Sequence, residues 1–224
     1  MCEAIYIPQK LYYRRGSMHT VAGEVNFQKA AILSNNRDLD ISQQVAAEFH
    51  QGRCYPMLVN DSVSDEALQI INNAIKNCDT LVVVGDYKLQ NFVAQAVADL
   101  PEQKQIVVVP VDAKPIHLMT GYYKAADGAI RHSLNIIPEY VILDSGLTDR
   151  ISKDDVALVQ KVVSQESETV MIAFTKEAQR ISKELIAGYG TIDMPVWKER
   201  ATNVVGITML GQPCGKHVIA VLGL

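Results

Sequence analysis

Four short runs in this sequence leave no room for a polar face. "KAAILSNN" (29–36), "TLVVVGD" (80–86), "KQIVVVPVDA" (104–113) and "EYVILD" (139–144) each place apolar residues at consecutive positions. Successive side chains of a strand point to opposite faces, so a strand apolar at every position must be covered on both. A parallel sheet layered between helices does this. The text between the runs supplies those helices. "DLDISQQVAAEFHQG" (38–52) has apolar residues at helical spacing and stops at Gly52. "SDEALQIINNAIKNC" (64–78) opens with Ser64 as N-cap, and Asp65 and Glu66 stand in its first turn, favourable at the positive end of a helix. "LQNFVAQAVADLP" is ended by Pro101, and "RCYPMLVN" (53–60) is a further strand. Strand, helix, strand, helix, strand, helix, strand is the order of a Rossmann-like α/β fold, a parallel sheet with helices on both faces. Such a sheet binds its ligands outside the carboxyl ends of its strands.

The flanks read differently. Residues 4–14 alternate as a strand or strand pair, and "GSMHTVAGEV" predicts a short helix with Ser17 near its start. Beyond residue 115, Asp-Gly in "KAADGAIRH" predicts a hairpin between two short strands. Helices are then expected over 152–165, over 174–187 up to Gly188, and through "VWKERATNVVGITMLG"; the tail "QPCGKHVIAVLGL" fits helix or strand. The expected division is a nucleotide-binding-like α/β domain over 1–147 and a small, truncated helical region over 148–224.

Charge and cysteine usage narrow the function class. The net charge is −4 and there is no Lys/Arg run, so no electrostatic footprint for nucleic acid. The four cysteines form no C-x-x-C pair, which predicts reduced thiols, a cytoplasmic protein and no cysteine zinc site. "MCEAIYIPQKLYYRRG" lacks the pattern of a signal peptide, and no apolar run reaches the roughly 18–20 residues of a membrane helix. Motifs for a serine hydrolase or a P-loop NTPase are absent. The expected partners are a small molecule and further copies of the chain, with neither nucleic acid nor membrane.

The loop after "TLVVVG" is the candidate site. A buried strand that runs through Gly85 into a helix places backbone N–H groups where an anion can sit. A strand–turn–helix without any ligand accounts for the same letters.

Several segments in succession carry a resemblance: "YIPQKLYYRRGSMHTV", "KAAILSNN", "SDEALQIINNAIKNCDTLVVVGDYKLQNFVAQAVADLP", "IVVVP" and "YYKAADGAIRHSLNIIPEYVILDSGL". In this order they resemble the iron-containing (group III) alcohol dehydrogenase and glycerol dehydrogenase superfamily, especially its glycerol-1-phosphate dehydrogenase-like branch, with this chain as a shortened, divergent member. The resemblance covers about residues 5–147, and again 195–217. It implies an N-terminal domain that binds NAD or NADP and a helical domain that holds a divalent metal, Zn or Fe, through one Asp and two His. The metal polarises an alcohol oxygen while hydride passes to the nicotinamide. The family's cofactor loop has three consecutive glycines, which approach the pyrophosphate and adopt positive φ, followed shortly by Asp. The matching positions here are Gly85, Asp86 and Tyr87, with Lys88 following and Asn91 where the acid falls. Tyr87 brings bulk to the phosphates' place and Asp86 a like charge, which Lys88 offsets in part. After "VP", Asp112 and His117 are the catalytic candidates, with Thr120 beside them. His217 in "CGKHV" is the metal-ligand candidate; Cys214 is near it, and Asp154 and Asp155 stand at a helix start where capping explains them as well. Two readings follow. One is a glycerol dehydrogenase-like oxidoreductase acting with NAD(P) on a small polyol or polyol phosphate. The other is a catalytically inactive descendant that serves as a binding, regulatory or structural protein.

Overall fold

Strands apolar on both faces do form the middle of a sheet. A computed structural model describes residues 10–12, 14–60, 64–111, 121–148, 150, 153, 154, 157 and 172–201. The strands of its main sheet are β1 (Lys10–Tyr12), β2 (Lys29–Ser34), β3 (Arg53–Leu58), β4 (Thr80–Gly85), β5 (Gln105–Pro110) and β8 (Tyr140–Ile142). They lie in the order β1-β8-β5-β4-β2-β3, all parallel. The helices are α1 (Ser17–Ala22), α2 (Leu39–Glu48), α3 (Asp65–Asn77), α4 (Tyr87–Val97) and α5 (Ile172–Gly188). A further helical segment covers 194–201.

Period-two alternation divides the core into two layers. Ala31, Leu33, Leu81, Val83, Ile106 and Val108 pack under α3 and α4, whereas Ala30, Ile32, Val82, Val84, Val107 and Val109 pack under α1 and α2. Register locks them together, with Ile32 opposite Val82 and Val82 opposite Val107. A slip of one residue would exchange every side chain between the layers. Leu185 of α5 and Trp197 and Ala201 of 194–201 join the α3/α4 layer.

Strand β3 follows a different rule. It is the outermost strand, and most of its residues are exposed, Tyr55 and Leu58 among them. Pro56, which has no N–H to give a neighbour on the far side, is tolerated there.

The Asp-Gly hairpin forms as expected. β6 (Tyr122–Lys124) and β7 (Ile130–His132) are antiparallel, with Gly128 at φ 83° in the turn. Asp127 Oδ1 accepts from Ala129 N at 3.0 Å. Ser64 caps α3 as expected, its hydroxyl accepting from Ala67 N at 3.2 Å. Of the expected helix over 152–165, only 153, 154 and 157 lie among the described residues, all helical.

The amino-terminal edge of the sheet is tied by a small polar cluster. Glu24 Oε2 accepts from Tyr12 OH at 2.6 Å and from Lys10 Nζ at 3.1 Å. The Tyr12 hydrogen bond first, then that of Lys10, holds the Glu24 carboxyl below its ordinary value of 4.5. A lowered carboxyl contributes stability that is whole above the unfolded-state value and is lost as pH falls through the folded one. Glu24→Gln should therefore lower stability slightly at pH 7, and the gap from the parent should close below the ordinary value of 4.5. Urea midpoints at neutral and acid pH check this; a gap that widens toward acid contradicts it.

Candidate functional site

The chain leaves β2 outward to β3, returns past β2 to β4, and continues to β5 and β8. Parallel crossovers are right-handed, so this reversal puts α2 on one face of the sheet and α3 and α4 on the other. Between the carboxyl ends of β2 and β4 the two directions part and leave a crevice, the place where such sheets take ligands. It is bounded by the turn after β2 and by the β4–α4 loop.

At the end of β4, Gly85 uses its lack of a side chain differently from the expectation. Positive φ occurs at Gly16, Gly52, Gly121, Gly128 and Gly190, not at Gly85. A Cβ on Gly85 would lie 2.6 Å from Leu89 Cδ2 and 3.2 Å from Leu89 Cβ. Glycine here lets the first turn of α4 close down on the strand. The Gly85 carbonyl accepts from Gln90 Nε2 at 2.8 Å and from Val111 N at 3.3 Å. Gln90 is buried, and its Oε1 has no hydrogen-bond partner among the described residues.

Asp86 is the N-cap of α4, which is why the helix begins at Tyr87, two residues before the apolar pattern suggested. Its Oδ1 accepts from Lys88 N at 3.0 Å and from Leu89 N at 3.2 Å. These are the N–H groups that a phosphate at this helix end would use. Tyr87 is half-buried and Lys88 exposed. Asn91 faces the hairpin: its Nδ2 donates to Lys124 O at 2.9 Å and its Oδ1 accepts from Lys124 N at 2.7 Å. Gln95 Nε2 adds a bond to the same carbonyl at 2.6 Å. A primary amide that pairs with a residue's N–H and C=O in this way extends the edge of β6 as a neighbouring strand would. A pyrophosphate at this helix end would compete with the Asp86 carboxylate for the Lys88 and Leu89 N–H groups.

The remaining candidates separate cleanly. Asp112, His117 and Thr120 lie outside the described residues, as do Asp155, Cys214 and His217. Asp154 is exposed on a helical turn. Among the described residues no three His, Cys, Asp or Glu side chains converge in a way that could hold a metal ion.

Two carboxylates that sequence reasoning did not single out organise this edge. Asp144, just past β8, is 5% exposed; its Oδ1 accepts from Gly16 N at 2.9 Å and from Gly146 N at 2.8 Å, and its Oδ2 from Met18 N at 2.9 Å. It fastens the β1–α1 turn to the end of β8. Gly16 meets it at φ 81°, a left-handed conformation that favours glycine. Asp38, in the turn after β2, has a fully buried side chain and is ion-paired with Arg150, whose Nη2 also donates to Arg37 O at 3.0 Å. Residues 112 positions apart gave no local signal of this pair.

With that geometry in place, comparison with solved structures is decisive for the fold. An iron-containing alcohol dehydrogenase from Corynebacterium glutamicum superposes with a TM-score of 0.67 at 19% identity, over 93% of this chain and 64% of its own. The fold is that of the iron-containing alcohol dehydrogenases. Maleylacetate reductase from Rhizobium sp. strain MTP-10005 shares this dehydrogenase fold, with a TM-score of 0.69 at 18% identity over 99% of this chain and 66% of that one. So does sulfoacetaldehyde reductase from Bifidobacterium kashiwanohense, solved in complex with NAD+, with a TM-score of 0.69 at 14% identity over 94% of this chain and 67% of that one. The chain spans 64% of the length of the Corynebacterium protein. No family model matches the sequence, and no curated protein does. Among the described residues no helix is long and apolar enough to cross a membrane.

Proposed function

We propose that this chain is an NAD(P)-dependent oxidoreductase of the alcohol dehydrogenase type, acting on a small polyol or polyol phosphate. The observation that carries this reading is the crevice at the strand-order reversal, in a fold shared with dehydrogenases and reductases, one of them solved with NAD+. In it the dinucleotide lies outside the carboxyl ends of β2, β4 and β5. Gly85, Asp86, Tyr87, Lys88 and Asn91 border its pyrophosphate, with the Lys88 side chain as the cation beside it. Asp112 and His117 are the proposed catalytic groups and His217 the proposed metal contact. The reading includes the expected division at 147/148, a cytoplasmic setting and a homo-oligomer. Membership of the glycerol-1-phosphate dehydrogenase-like branch also belongs to it.

One observation favours a second reading. Asp86 holds two of the N–H groups at the start of α4, as a resident anion would. A descendant that has given up hydride transfer and binds a ligand or a partner would keep such a cap, because it stabilises the helix at no cost to a lost site.

Thermal-shift titration with NAD+, NADH, NADP+ and NADPH, each with and without Zn²⁺, separates the two. A ligand that binds only the native state at about 100 times its Kd stabilises it by about 2.7 kcal/mol. Asp86→Ser sharpens the result. Serine keeps a cap, so stability should change by only a few tenths of a kcal/mol, roughly the spread among good capping residues. Removing the charge should raise dinucleotide affinity about threefold to tenfold if the pyrophosphate sits at this helix end. No shift with any nucleotide, in parent and variant alike, removes the dehydrogenase reading.

A further inference from the structure

A second concave site lies over the carboxyl edge, on the side of α1 and α2. It is a cavity of about 380 Å³, within the size range of small-molecule sites. Its walls come from four separate parts of the chain: Arg15 from the β1–α1 turn, Arg37 and Asp40 from the turn after β2 and the start of α2, Ser145 and Arg150 from beyond β8, and Lys198 from 194–201. Four cationic side chains thus face one carboxylate. Like charges gathered around a concave, partly desolvated space repel one another and focus a positive potential into it. A chain whose net charge is −4 has concentrated the opposite sign here.

Two of these cations, Arg15 and Arg37, are not spent on internal ion pairs among the described residues. Arg150 is committed, through Asp38 and the Arg37 carbonyl, and so forms a fixed floor. The guanidinium groups of Arg15 and Arg37 have no ion-pair partner among the described residues, and both residues are exposed to solvent. At the wall, Ser145 is only 7% exposed, and its hydroxyl has no hydrogen-bond partner among the described residues. Buried hydroxyls are ordinarily satisfied, so one left open beside a cationic cavity marks a place for an acceptor from outside the chain.

We propose that this cavity binds a phosphate monoester dianion, gripped by Arg15 and Arg37 above the floor formed by Arg150 and Ser145. Planar guanidinium groups match phosphate oxygens two at a time, which suits a dianion better than a single carboxylate. The cavity has room for the carbon skeleton that carries the phosphate. Two sources share this chemistry: the 2′-phosphate of NADP, which arginine accommodates in dinucleotide folds, and a separate phosphorylated small molecule such as a polyol phosphate. The site is distinct from the β4–α4 loop, and inorganic phosphate probes it whether or not a dinucleotide binds there.

The test is calorimetric titration of the full chain with inorganic phosphate, 2′-AMP, 5′-AMP and glycerol phosphate. The parent is compared with Arg15→Ala, Arg37→Ala and, as a control on the distant hairpin, Arg131→Ala. Saturable binding that weakens about tenfold in each of the first two variants and is unchanged in the control is the expected result. 2′-AMP binding tighter than 5′-AMP assigns the phosphate to a dinucleotide; glycerol phosphate binding tightest assigns it to a separate substrate. Because both arginines are exposed, their removal leaves the fold intact, and circular dichroism confirms that. Absence of saturable binding by all four probes, or affinity unchanged in both Arg15→Ala and Arg37→Ala, overturns the proposal.

Discussion

Arg150→Ala should lower the unfolding free energy by about 3 kcal/mol or more, the usual result of removing one partner from a buried ion pair. The Asp38 side chain is 0% exposed and that of Arg150 21%, so deleting the guanidinium strands a carboxylate that water reaches poorly. Asp38 Oδ2 already lacks a partner among the described residues, which leaves little to compensate. The effect comes from the stranded charge, and a double variant reveals it: Arg150→Ala with Asp38→Asn should be more stable than Arg150→Ala alone. Denaturant midpoints of the parent, both single variants and the double form the cycle. If Arg150→Ala costs less than about 0.5 kcal/mol, like an ordinary surface substitution, the pair does not hold this edge together.

Asp144→Ala should cost a comparable amount, on the order of 3 kcal/mol, for a different reason. Three backbone N–H groups, of Gly16, Met18 and Gly146, converge on its two oxygens. Hydrogen bonds to a charged group contribute about 1.5–3 kcal/mol each, and donors left without a partner pay their desolvation in full. Gly16 and Gly146 are exposed enough for water to replace part of the loss, so the three contributions do not simply add. Asp144→Asn, which keeps one oxygen and turns an N–H toward a donor, should fall between parent and alanine variant. Hydrogen exchange at Met18 is the local readout; protection there unaltered by Asp144→Ala would show that the carboxylate is not what fastens the β1–α1 turn.

These two carboxylates show where a sequence stops being readable. The sheet was legible because its signals are local and repeated: a strand apolar at every position must be central, and "LVVV" and "IVVV" leave no other choice. The hairpin was legible because Asp127-Gly128 needs only its own neighbours to turn. Ser64 was legible for the same reason. By contrast, the bonds of Asp144 reach back 126 and 128 residues, and nothing around "ILDSG" distinguishes a clamp from a strand end. Asp86 is the instructive intermediate. "VGDYK" reads equally as an eroded phosphate loop and as a helix cap, since both place an acid next to the same N–H groups; only the distances to Lys88 N and Leu89 N decide what the side chain does. Gly85 misled in a related way, for its small size serves Leu89 and not a positive φ. The cationic cavity was illegible because it is assembled from four stretches, each unremarkable as text.

One buried ring gives this molecule an optical handle. Trp197 is the sole tryptophan of the chain. It is wholly buried, donates from its indole N–H to Leu185 O at 2.9 Å, and meets the edge of the Tyr189 ring at a centroid distance of 5.2 Å. Its shell is built from the helices after β8 together with the α3/α4 layer of the sheet. Emission excited at the indole band therefore reports whether those helices are seated. A blue, quencher-shielded signal belongs to the docked state, and a red shift that precedes the loss of sheet circular dichroism would time their release separately from the melting of the strands.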